Sequence, residues 1–307
     1  MASRVVYILI IFLVQIFIGT LGNLSLLGQY LFLYLSRYKT RSIDLIIMHL
    51  IVANFLVILS RGIPETMAAY GLEDFLSDFG CKFVFYVSRV GRGVAFGSTC
   101  LLSVFQAITI SPSSSRWAEL KVKFPKYIST FTVLCWVLHL VLNISFSVSL
   151  TSRLKNKNIT NKIDFAYCSD PRTTKGIYTA HAVYIAIFDV LCMGLMLSAC
   201  GSMLFILFMH KRRVQYMHRT SNFFRSSPET RATQSILILV IIFVFFYFLS
   251  CIMQVYVTFF SHSRIFLFTL DAFLSACFST VCPFVFMICG HYVNGICCVY
   301  SKRNTVI

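Results

Sequence analysis

VVYILIIFLVQIFIGTLGNLSLLGQYLFLYL, residues Val5 to Leu35, runs its full length without a charged side chain. A surface helix of a soluble domain keeps a polar face opposite its apolar one, and this stretch has none. A bilayer core about 30 Å thick is crossed by about 20 mostly apolar residues in helical form, and only a helix or a closed barrel satisfies the backbone inside it. The stretch therefore reads as a membrane-spanning helix. Arg4 ahead of it gives it the look of a secretory signal, but the uncharged run exceeds the roughly 7 to 15 residues of such a segment, so it is read as a retained first span. Six more runs of the same kind follow at Leu45 to Ile63, Phe83 to Ile110, Tyr127 to Leu150, Ile177 to Met209, Ala232 to Phe260 and Ile265 to Cys289. The expected fold is all-α, a single seven-transmembrane-helix domain over residues 1–307 with a short cytoplasmic tail at 290–307.

Composition points the same way. With 58% hydrophobic and only 12% charged residues and a mean hydropathy of +0.79, a water-soluble domain would carry more apolar surface than it could bury. The formal charge of +16 raises nucleic acid as a partner, and the placement of the cations decides against it. They lie between the spans: Arg37, Lys39 and Arg41 after the first, Arg116, Lys121, Lys123 and Lys126 after the third, six from Lys211 to Arg231 after the fifth, and Lys302 and Arg303 after the seventh. Fifteen on that side against nine on the other orient the chain with its amino terminus outside and its carboxyl terminus in the cytoplasm. The basic inner face is the ordinary complement of anionic lipid, worth about 1 kcal/mol per residue.

The loops are short, without repeats or low-complexity tracts. The longest are Thr151 to Lys175 outside and His210 to Arg231 inside, and Ser227-Pro228-Glu229 in the latter has the N-cap, first-turn proline and first-turn acid of a helix start. Of twelve cysteines, those within spans read as small packing residues. Cys81 and Cys168 are the two placed at the exterior, oxidising face, and a disulfide between them is expected. Cys297 and Cys298, just after the last span, are suited to S-palmitoylation. Among three N-x-S/T triplets, only Asn158-Ile159-Thr160 falls in an exterior loop, making Asn158 the glycosylation candidate.

The chain carries no motif for catalysis or cofactor binding: the seven histidines form no H-E-x-x-H or other ligand-spaced cluster, and there is no phosphate-binding G-K-[ST] loop. No cofactor is expected. Gly91-Arg92-Gly93 with Gly97 lies within a span, where Gly93-x-x-x-Gly97 permits close helix packing. The charges inside spans are more informative. Arg89 and Arg92 share one face of the third span, and an arginine at the membrane centre costs about 2.5 to 3.5 kcal/mol even on the lenient scale. The acids available to them are Asp189, Asp271 and Glu65. The expected scheme pairs Arg92 with Asp189 and Arg89 with Glu65 or Asp271, forming a polar wall to a pocket.

Several runs carry a family resemblance. Leu101 to Pro112 (LLSVFQAITISP), continuing through Trp117, Leu120-Lys121 and Pro125-Lys126-Tyr127, resembles the third-span exit of vomeronasal type-1 receptors. Arg61 to Met67 (RGIPETM), Gly80-Cys81-Lys82, Arg89 to Gly93 (RVGRG) and Ser227 to Gln234 (SPETRATQ) resemble that family too, and the likeness extends over all seven spans. It implies a seven-helix receptor of rhodopsin-like architecture in the plasma membrane. Such a receptor binds a small chemosensory ligand in its outer half and activates a Gi/Go-type heterotrimeric G protein inside. Ser111, Pro112, Lys121, Lys123 and Arg231 are the candidates to face that protein. Against the broader rhodopsin-like pattern, Gly22-Asn23, Trp136 and Pro283 match the usual anchors, whereas the third span lacks the acid-Arg-aromatic triplet, the seventh reads Cys282-Pro283-Phe284-Val285-Phe286, and Asn54 stands where an Asp is common. The inactive-state lock and the sodium site therefore do not carry over. A bitter-taste-type receptor is the nearest alternative, and the Ser-Pro run after span three points away from it. A transporter would show internal repeats and broken helices.

Overall fold

The computed structural model describes residues 2–35, 42–72, 75–111, 118–149, 151–152, 163–164, 167–170, 175–217, a discontinuous set between 237 and 252, and 269–287. Nearly all of them are helical. The helices are α1 (Ala2–Leu35), α2 (Ser42–Ala69), α3 (Asp78–Ile110), α4 (Ala118–Ser149) and α5 (Lys175–Met217), followed by helical residues within the expected sixth span and a last span helix, Thr269–Met287. Six helices among the described residues are long and apolar enough to cross a membrane.

The helices run past their apolar stretches because backbone hydrogen bonding, not hydropathy, sets where they stop. α3 starts at Asp78, where the Ser77 side chain accepts from the Gly80 N–H at 3.2 Å and an acid occupies the first turn. α2 continues through Pro64 and ends on Gly71, whose φ of +97° is the left-handed conformation a side chain would oppose. The Leu72 N–H returns to the Met67 carbonyl and the Gly71 N–H to the Ala68 carbonyl, closing the helix end in a Schellman arrangement.

α3 is the axis of the bundle, packed against α2, α4 and α5. In its most apolar window 56% of residues are buried, against 22% in α4 and 28% in α1 and α5. The outer helices instead present Phe17, Phe32, Leu134, Val190 and Phe205 at the surface, a band that suits lipid and would be a liability in water. The α3 glycines explain the close approach. A Cβ on Gly91 would lie 3.0 Å from Val57 and 3.1 Å from the Ala53 carbonyl of α2, while a Cβ on Gly93 or Gly97 would overlap the His139 ring or the Cys135 sulfur of α4. Polar contacts fix the other helices. The Asn23 side chain of α1 donates to the Ser279 backbone carbonyl at 3.0 Å, and the Ser279 hydroxyl donates to Asn54 Oδ1 at 3.1 Å, so amides and a hydroxyl join α1, α2 and the last span. Trp136 of α4 donates to His49 of α2 at 3.1 Å.

The segment between α4 and α5 adds structure that the sequence did not signal. Three short strands, β1 (Thr151–Ser152), β2 (Ile163–Asp164) and β3 (Cys168–Asp170), form an antiparallel sheet in the order β1-β3-β2. Thr151 pairs with Ser169 and Ile163 with Asp170.

Candidate functional site

Cys81 in the first turn of α3 is bonded to Cys168 at the start of β3, as the sequence led us to expect. The bond holds the loop against the bundle, and the adjacent Tyr167 is pressed inward until only 1% of it is exposed. Its ring lies 5.8 Å from that of Phe85 and 6.1 Å from that of Phe75. Together with Cys81, Phe85 and Cys168 it forms a small apolar core distinct from the main one.

Beneath this core lies a cluster of charges. Arg61 of α2 donates from Nη2 to Oδ2 of Asp271 on the last span at 3.2 Å, with its guanidinium 5.5 Å from the Phe85 ring centroid. Arg92 of α3 reaches the other oxygen of the same carboxylate at 3.9 Å. One turn beyond Arg61, the buried Glu65 accepts from the Thr269 hydroxyl at 3.3 Å. α2, α3 and the last span thus each contribute to one ionic group built on two buried carboxylates. Asp271, one of the two acids expected opposite Arg89, lies against Arg92 and, more closely, Arg61, because the start of the last span packs beside α2. Arg89 on α3 and Asp189 on α5 are both half-buried.

The Tyr167 hydroxyl lies within range of both Arg61 and Glu65. Burial pushes this phenol above its ordinary value, the Glu65 charge adds to the shift and Arg61 opposes it, so Tyr167 remains a neutral donor at physiological pH. Neither the Tyr167 hydroxyl nor Arg61 Nε has a hydrogen-bond partner of normal geometry among the described residues.

Arg61, Tyr167, Thr269 and Phe85 were not singled out as site residues from sequence. Arg61 carried a usable signal, a cation within an apolar span. Tyr167 carried only its position beside Cys168. At the other end of the bundle, Lys121 donates to the Ser111 carbonyl at the end of α3, and the exposed Lys123 pairs with Glu119 four residues earlier. Asn158, Pro112, Arg231, Cys297 and Cys298 lie outside the described residues.

Comparison with known proteins gives this arrangement its context. The family described as "Vomeronasal organ pheromone receptor family" matches residues 6–299. The chain is 49% identical over 292 residues to vomeronasal type-1 receptor 2 of Homo sapiens, covering 95% of this chain and 74% of that protein. It is 47% identical over 302 residues to vomeronasal type-1 receptor 4 of Homo sapiens, covering 98% of this chain and 100% of that protein. Vomeronasal type-1 receptor 3 of Homo sapiens is 50% identical over 288 residues, covering 94% and 92%. A seven-helix membrane bundle, a disulfide-tethered loop over a buried charge cluster and this likeness over nearly the whole length agree: the chain belongs to the vomeronasal type-1 receptor family, a receptor family rather than an enzyme family.

Proposed function

We propose that this plasma-membrane receptor takes a small chemosensory ligand, of the kind its family's pheromone designation describes, in the outer half of the bundle. The site is the cluster of Arg61, Arg92, Asp271 and Glu65 under the Tyr167 loop, with the amino terminus on the same, extracellular side. The observation that carries this reading is the gathering of four ionisable side chains from three helices, two buried carboxylates and two partly buried guanidiniums, at one level of an otherwise apolar bundle. Intramembrane charges are expensive and face interior sites, and here they sit beneath a loop that the disulfide holds in place. A ligand that changes how α2, α3 and the last span meet would alter the inner ends of the helices. There Ser111, Lys121 and Lys123, with Pro112 next to Ser111 and Arg231 in the loop before the sixth span, would meet a Gi/Go-type heterotrimer.

The proposed topology also places Asn158 outside, as a glycan acceptor, and Cys297 and Cys298 inside, for palmitoylation. Nucleotide exchange measured on co-expressed Gi, Go, Gs and Gq while a volatile panel is applied tests the reading. Stimulated exchange on Gi or Go alone is expected; exchange confined to Gs or Gq would reject the coupling assignment. Glycosidase should shift the wild-type receptor on a gel and leave Asn158→Gln unmoved.

A further inference from the structure

Two polar atoms at the top of the charge cluster, the Tyr167 hydroxyl and Arg61 Nε, are buried on side chains that face each other, yet neither has a hydrogen-bond partner of normal geometry among the described residues. A buried donor without a well-formed hydrogen bond keeps its desolvation penalty, and an acceptor placed between these two neighbouring side chains would relieve both. Both atoms are able to donate, and one oxygen with two lone pairs accepts both bonds. Around them the surface is apolar, formed by Phe75 and Phe85.

The charge balance narrows the partner further. Arg61 and Arg92 face Asp271 and Glu65, two cations against two acids. A ligand carboxylate would add a third acid to this group and a ligand ammonium a third cation, each stripped of water without a free counter-charge.

Resting on the outer-half ligand site proposed above, we propose that Arg61 and Tyr167 together form its recognition point for a neutral oxygen acceptor, the carbonyl or hydroxyl of an otherwise apolar small molecule. Tyr167 is thereby a specificity residue delivered by the loop, and Cys168 next to it is its tether. A site built to hydrogen-bond an oxygen strongly rejects the analogue lacking it, because its own donors are then left unpaired.

The test uses the full-length receptor in lipid nanodiscs and reads thermal stabilisation against two matched probe sets: p-menthane, menthone, menthol and p-menthane-3-carboxylate, and decane, 2-decanone, 1-decanol and decanoate. The ketone or alcohol of at least one set should stabilise the wild type at concentrations about tenfold or more below its hydrocarbon, the worth of a net hydrogen bond. The carboxylate should be the weakest. Tyr167→Phe keeps the ring and should bring ketone, alcohol and hydrocarbon to within about threefold of one another. Arg61→Lys keeps the charge opposite Asp271 but removes Nε–H, and should act likewise.

Preference for the carboxylate, selectivity unchanged in Tyr167→Phe, or no stabilisation by any probe would overturn the assignment. A structural water only would show as a lower melting temperature of probe-free Tyr167→Phe with selectivity intact, and this too overturns it. G-protein activation by a probe whose potency is indifferent to Tyr167 leaves the receptor reading standing and removes this one. Tyr167-dependent binding without any nucleotide exchange does the reverse.

Discussion

Asp271 answers two arginines at unequal distances, 3.2 Å to Arg61 and 3.9 Å to Arg92, and this inequality ranks the effects of removing each charge. Arg61→Met leaves Asp271 still facing Arg92, whereas Asp271→Asn takes the shared carboxylate from two partly buried guanidiniums at once. Breaking a buried pair by deleting one partner costs about 3–5 kcal/mol, so Asp271→Asn should lose the most surface expression and thermal stability, Arg61→Met less, and Arg92→Met least. A double-mutant cycle on solubilised receptor should give a larger coupling between Arg61 and Asp271 than between Arg92 and Asp271, within the range of about 0.5–3 kcal/mol for neighbours. Equal couplings would mean that the shorter contact carries no extra weight. Glu65 belongs to the same group through the Thr269 hydroxyl. Thr269→Val should therefore destabilise by about 1 kcal/mol, the usual net value of one hydrogen bond, as a small drop in melting temperature.

Between elements, the closest approaches are those of α3 to its neighbours. A methyl group on Gly93 would overlap the His139 ring, so Gly93→Ala should destabilise by the roughly 1–3 kcal/mol typical of overpacking. His139→Ala in the same chain should restore much of that loss, a compensation visible in the melting temperature and absent if the glycine serves only backbone freedom. The disulfide joins α3 to the inter-helix sheet. Cys81→Ser should lower stability by about 2–5 kcal/mol, Cys168→Ser by the same amount, and the double variant by no more than either alone.

At this level much was legible in the sequence. Hydropathy alone announced the helices, and Gly93-x-x-x-Gly97 announced a tight helix contact, which is with α4. Cys81 and Cys168 were found by placement. What escaped were features that depend on which faces meet. Arg61 was visible as a charge in an apolar run but not as the partner of Asp271, because 210 residues separate them and no periodicity links distant helices. Tyr167 escaped because its burial follows from the disulfide beside it, and the three strands escaped because segments of two or three residues carry no alternating pattern.

For the whole molecule, α3 connects the charge cluster to the opposite end of the bundle: Arg92 sits near Asp271 at one level, and Ser111 at the helix end receives Lys121. Lys121 therefore closes a helix terminus, whereas Lys123 pairs with Glu119 on an exposed surface. If the inner loops meet a G protein, Lys123→Ala should weaken nucleotide exchange with surface expression unchanged, while Lys121→Ala should reduce both. Exchange that is insensitive to Lys123 would assign these cations to lipid. The Cys81–Cys168 link also bears on how the chain is made. Its cysteines are 87 residues apart, which a ribosome adding about 5–20 residues per second covers in about 4 to 17 s. If the proposed topology holds, during that interval α4 is threaded through the translocon and the chain turned back, while Cys81 waits as a free thiol in an oxidising lumen. In the proposed topology, with the amino terminus outside, the bond can close only after the fourth span has been inserted in the correct sense. A pulse-chase gel that follows its oxidation would time that insertion in a living cell, and a nascent chain that mis-threads α4 would be recognisable by a thiol that never finds its mate.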